Sequence, residues 1–173
     1  MTTALTREVT AVQSPALGAT LLWRFAVGYM EVHERPAPVQ LFFLPLPMLY
    51  RQEFVHVITG ISRRAAGIRK ASGLRAVADA LREAKNAKQD LLLTLHDELL
   101  DLRQLTLASL RIAIASRLLT LDDRGNVWVV RREPIPTTTP ERVRRLVFGA
   151  EKLGFWCGSL TLYEIAATLH IAF

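Results

Sequence analysis

Apolar and polar positions divide the chain into helical stretches separated by breaks rich in proline, glycine and threonine. Ser14-Pro15 reads as a helix start: serine can accept a hydrogen bond from a free backbone N–H, and proline at the first helical position loses nothing by lacking its own. Leu17, Leu21 and Phe25 then recur every fourth residue, predicting a helix to about Met30, ahead of the break at Arg35-Pro36-Ala37-Pro38. An extended piece from Val39 to Leu44 follows. Pro45 and Pro47 suit the first turn of a second helix, whose stripe is Leu46, Leu49, Tyr50, Phe54, Val57 and Ile58 and whose end is Thr59-Gly60. Ser72-Gly73 opens a long helical region in which Leu74, Val77, Leu81, Leu91, Leu95, Leu99 and Leu102 keep a three-to-four spacing around a polar insert at Lys85 to Asp90.

Arg103-Gln104-Leu105 reads as a tight turn and Thr106 as the N-cap of a helix with Leu107, Leu110, Ile114 and Leu118 on one face. Leu119-Thr120-Leu121 and Val127-Trp128-Val129-Val130 are strand-like, and Asp122 to Asn126 between them supplies turn residues. A helix pair followed by a hairpin predicts a winged helix-turn-helix over about residues 90–132, with the hairpin as its wing. Beyond Pro134, Pro136 and three threonines, Thr139-Pro140-Glu141 starts a helix through Leu153 with Val143, Leu146 and Val147 inward, and Ser159 to about Leu169 is helical. The expected fold is mainly α (α+β), one domain over residues 1–173.

Composition sharpens this picture. Half of the 173 residues are hydrophobic, yet no apolar run approaches the roughly 18 to 20 residues of a membrane span, so the excess has to be buried in protein, in part against a partner. The surplus is densest at Phe42, Phe43 and Leu44, and again at Leu153, Phe155 and Trp156, each group a candidate partner interface or core anchor. Residues 1–10 lack the basic start and apolar stretch of a signal peptide, and with one cysteine, Cys157, a cytoplasmic location fits best.

The net charge is +6, carried mostly by arginine. Arg63, Arg64, Arg69, Lys70 and Arg75 form a candidate basic loop for DNA or an acidic partner, and Arg124, Arg131 and Arg132 are candidate phosphate contacts from the wing. The outward positions expected on the reading helix, Ala108, Ser109, Ala113 and Ser116 with Arg111 and Arg117, suit base readout poorly. Phosphate-binding, dinucleotide and zinc motifs are lacking, the four histidines are scattered, and Asp79, Glu83 and Lys85 lie in an alanine-rich helical window rather than on the adjacent strands a nuclease metal site needs. No enzyme activity, cofactor or metal is expected.

Three stretches carry a resemblance: Ser14-Pro-Ala-Leu-Gly-Ala-Thr-Leu-Leu-Trp-Arg-Phe-Ala-Val-Gly-Tyr29, Leu41-Phe-Phe-Leu-Pro-Leu-Pro47 and Glu151-Lys-Leu-Gly-Phe-Trp156. With Leu105-Thr-Leu-Ala-Ser-Leu110 and Leu118-Leu-Thr-Leu-Asp-Asp123 in the same order, the chain resembles the middle component of three-component ABC-ATPase (ABC-3C) systems over nearly its whole length. The resemblance implies a non-catalytic bridge in a Lamassu-type bacterial anti-phage complex, between an SMC- or Rad50-like ATPase that senses abnormal DNA and an effector, often a nuclease. The chain departs from that family at Ser14, where Asn is usual, and at Leu169-His170, where Leu-Gly is usual. The rival reading is a stand-alone winged-helix DNA-binding regulator.

Overall fold

The structure, a computed structural model, describes residues 14–61, 72–83 and 89–172. Helix α1 (Pro15–His33) runs through the middle of the molecule. Leu21, Leu22, Phe25, Ala26, Val27, Tyr29 and Met30 are all buried, so both flanks of α1 are covered, as expected of a helix that is apolar most of the way round. Ser14 stands at its N-cap without a capping side-chain bond; the first turn is closed by the Gly18 N–H donating to the Ser14 carbonyl. The helix extends one turn beyond Met30 and stops at Glu34 in the left-handed region (φ 53°).

The segment expected to be extended is mostly not. Only Ala37–Pro38 forms a strand, β1, after which Val39–Phe43 coils into a 3-10 turn. The chain has to reverse between β1 and a helix opened by Pro45, and a tight turn does so in five residues. The single helix expected from Pro45 to Gly60 is two, α2 (Pro45–Tyr50) and α3 (Gln52–Gly60), because Arg51 between them is extended (φ −97°, ψ 124°). The break lets Arg51 pair with Glu98 and turns Phe54, Val55 and Ile58 inward, with α3 packed on a later helix.

Helices α4 (Ser72–Glu83) and α5 (Gln89–Asp101) follow, with Leu74, Val77, Leu81, Leu95 and Leu99 buried at the spacing read from sequence. Helix α6 (Arg103–Ala115) begins four residues earlier than expected, with only Leu102 separating it from α5. Thr106 is thus inside the helix and fully buried, not its cap. The inward face of α6 is Thr106, Ser109, Leu110 and Ala113, whereas Ile114 is exposed and Leu107 half-buried. The reason lies in α1: a Cβ added to Gly18 would overlap the Ser109 hydroxyl, so the two helices approach too closely for anything but small side chains.

Strands β2 (Leu119–Leu121) and β3 (Asn126–Val129) form an antiparallel hairpin, and β1 adds to the far edge of β3, giving the order β1-β3-β2. Helix α7 (Glu141–Cys157) runs four residues past the expected end at Leu153, and α8 (Leu162–Leu169) closes the chain behind a reciprocal capping box between Thr161 and Glu164. The architecture is mainly α with one small antiparallel sheet.

Helices α1 and α7 make the most extensive helix contact. At its centre a Cβ on Gly28 would strike the Glu151 backbone, and a Cβ on Gly154 would strike the Phe25 carbonyl. One turn on, a Cβ on Gly158 would lie 2.6 Å from the Tyr29 carbonyl oxygen. The Arg24 guanidinium, on the same crossing, pairs with Glu151 and donates to the Glu133 carbonyl at 3.0 Å.

Candidate functional site

The hairpin and the helix that feeds it hold the most unusual surface. Asp122 organises the turn: one carboxylate oxygen accepts from the backbone N–H groups of Arg124 (2.9 Å) and Asn126 (2.8 Å), the other from the Trp128 indole N–H (3.2 Å). These donors, the Asn126 N–H foremost, hold the carboxyl below the usual aspartate range. Gly125 takes the left-handed conformation (φ 78°) that closes the loop. The Trp23 indole donates to the Arg131 carbonyl at 2.7 Å, tying the strand exit to α1.

Leu119 and Val127 face the core. Opposite pleat parity puts Thr120 and its partner Trp128 on the outer face, and the Val130 N–H donates to the Leu118 carbonyl one step further along. Trp128 is 38% and Val130 51% exposed. Sequence reading took the strand as a wing and missed this face, although the unbroken run Val127 to Val130 signals a strand apolar on both sides. On α6, Gln104, Arg111 and Ala115 face out, with Ile112 and Ile114 partly exposed beside them; Ser109 and Ala113, expected outward, are buried.

The arginines of this region differ in their partners. Arg131 pairs with Glu133 at 3.7 Å. Arg111, Arg117, Arg124 and Arg132 are exposed, and no ion pair joins them to another described residue. Of the expected basic loop, Arg63, Arg64, Arg69 and Lys70 lie outside the described residues; Arg75 is exposed on α4 and helps hold the Glu164 carboxyl low, after the larger effect of the Thr161 N–H and hydroxyl.

Phe42, Leu44, Leu153 and Trp156 are fully buried, and Phe43 and Phe155 are half-buried against the core. Phe42 meets Phe25 edge-on at 5.5 Å between centroids, and Trp156 packs against the backbone of Gly73. A cleft of about 650 Å³ between α2, α3 and the start of α7 is lined by Tyr50, Gln52, Glu53, His56, Arg142 and Arg145 among others. Burial pushes the Tyr50 hydroxyl up to about 12 and the Cys157 thiol well above its usual range, so neither is an ionised nucleophile near neutral pH. Asp79 and Glu83 share helix α4, and among the described residues no group of three or more His, Cys, Asp or Glu is placed to hold a metal ion. Nor, among them, is any helix long and apolar enough to cross a membrane.

A family described as ABC-three component (ABC-3C) system Middle Component 3 matches residues 2–173. The chain belongs to that family. No curated protein and no solved structure matches this middle component. In this middle component His170 ends the last helix in the αL region (φ 55°), a conformation that glycine adopts without strain.

Proposed function

We propose that this middle component is a non-catalytic adaptor that bridges an SMC- or Rad50-like ABC ATPase and an effector subunit, in the cytoplasm, within a Lamassu-type anti-phage complex. The observation that carries the reading is the family match along residues 2–173, which makes the chain one part of a three-component system built around an ABC protein. The exposed apolar residues of α6 and the hairpin support it, since such surface suits burial against another subunit. In this reading α5, α6 and the β2-β3 hairpin form a winged helix, with β1 completing its sheet. An effector of nuclease type and activation by DNA belong to the same proposal.

Co-expression with the ATPase and effector tests it: the three subunits are expected to elute together at fixed ratio, and a chain that elutes alone from both would overturn it. Arg111, Arg124 and Arg132, exposed and without an ion pair to another described residue, keep a second reading, a stand-alone DNA-binding regulator. Retention of one DNA sequence over others at physiological salt, with no subunit bound, would favour that reading.

A further inference from the structure

We infer that the outer face of the β2-β3 hairpin, centred on Trp128 and Val130, is the seat of an acidic segment of a partner subunit that presents apolar side chains between its carboxylates. This rests on the adaptor reading and specifies one surface for it. The argument begins with the strand itself. Every position from Val127 to Val130 is apolar, but the core covers only one side of the sheet. The other side presents the Trp128 ring, Val130 and the methyl-bearing Thr120 opposite Trp128. Trp128 has a single polar atom, and its N–H is already satisfied by Asp122, so what the ring offers a ligand is hydrocarbon and a π face. The same hydrogen bond fixes the indole before any partner arrives, which lowers the ordering cost of binding.

Charge then selects the occupant. Arg117 immediately precedes the outer-face segment, Arg124 is in the turn and Arg132 lies two residues past Val130; all three are exposed without ion-pair partners among the described residues. Asp122 is turned inward on the hairpin's own donors, leaving Asp123 as the acid of the turn facing solvent. An apolar centre of tryptophan with an arginine rim is the composition of a protein interface. Nucleic-acid backbone would use the arginines but leave Trp128 and Val130 uncovered, whereas a segment combining carboxylates and apolar side chains uses both.

The test is co-purification of the complete complex from cells expressing all three subunits, with the middle component tagged. Trp128→Ala with Val130→Asp is expected to lower recovery of a partner subunit at least about tenfold, and Arg117→Glu with Arg132→Glu to lower it several-fold. Each variant is checked alone by thermal melting: the charge-reversed variant is expected to keep the wild-type midpoint, and the Trp128/Val130 variant, which loses the indole bond to Asp122, to melt somewhat lower while staying folded at the temperature of the assay. Full recovery by the Trp128/Val130 variant would overturn the inference while leaving the adaptor reading intact. Full recovery by the charge-reversed variant would overturn the acidic occupant, as would loss of DNA retention with subunit recovery unchanged. A wild-type chain that recovers neither subunit would remove the adaptor reading and this surface with it.

Discussion

Gly28 and Gly154 sit where α1 and α7 touch backbone to backbone, so the added methyl of an alanine has nowhere to go except by separating the two helices. Gly154→Ala is expected to cost about 3 kcal/mol or more, read as a lowered denaturation midpoint, although alanine is the better helix former at an ordinary mid-helix position. His170 is the opposite case. It holds a left-handed conformation at the end of α8, beside Arg82 at 2.7 Å. His170→Gly is expected to stabilise by about 1 kcal/mol by removing the Cβ from that conformation. At Asp122 the prediction concerns pH. Because its folded carboxyl titrates below the usual value, its contribution to the hairpin is complete above the unfolded pKa of about 4 and is lost as pH falls through the lower folded value. Trp128 fluorescence should report that loss, and Asp122→Asn should abolish the acid dependence.

At the scale of the element, Lys152 on α7 illustrates how one helix finishes another. Its ammonium donates to the carbonyls of Thr59 and Ile61, each at 2.9 Å, where α3 ends with carbonyl groups its own turns cannot satisfy. Lys152→Met keeps the stem and removes the donor, and is expected to cost about 1 kcal/mol, with hydrogen exchange speeding up selectively in the last turn of α3. The elements also mark what could be read in advance. The hairpin and α4 were legible because turn residues and heptad-like leucines are local signals, whereas α8 was expected from Ser159 and its Thr161-x-x-Glu164 cap, also a local signal, was passed over. The inward face of α6 was not. Its large residues suggested burial of Leu107 and Ile114, but the neighbour it meets is Gly18 of α1, nearly a hundred positions away, which admits only Thr106, Ser109 and Ala113 beside Leu110. A small-residue stripe at those positions was the available signal. The break at Arg51 was hidden for a similar reason, since its partner Glu98 lies on α5.

At the scale of the molecule, the hydrophobic surplus has two destinations. The Phe42-to-Pro47 and Leu153-to-Trp156 stretches fill the continuous core, and Phe43 and Phe155 line its margin. Outside it remain Trp128 and Val130 on the hairpin, Leu93 and Leu100 on α5, and Tyr163 on α8, which is 82% exposed. Cys157, fully buried near the end of α7, is a built-in reporter of this core. It should resist a thiol reagent in the native chain and become modified only through global unfolding, so at low reagent concentration Gly154→Ala is expected to accelerate labelling by the factor by which it raises the unfolded population. Labelling as fast as that of a free thiol in the native chain would mean that the core opens locally around α7.

The glycine crossing also bears on how the molecule answers force. Trp23 and Met30 on α1 hold the hairpin through the Arg131 carbonyl and the Val129 N–H, while the same helix is interlocked with α7 at Gly28, Gly154 and Gly158. Notches cut to backbone depth neither slide nor ratchet. A pull on the hairpin is therefore expected to reach α7 through α1 with little sliding between the two helices, as in a stiff arm rather than a spring.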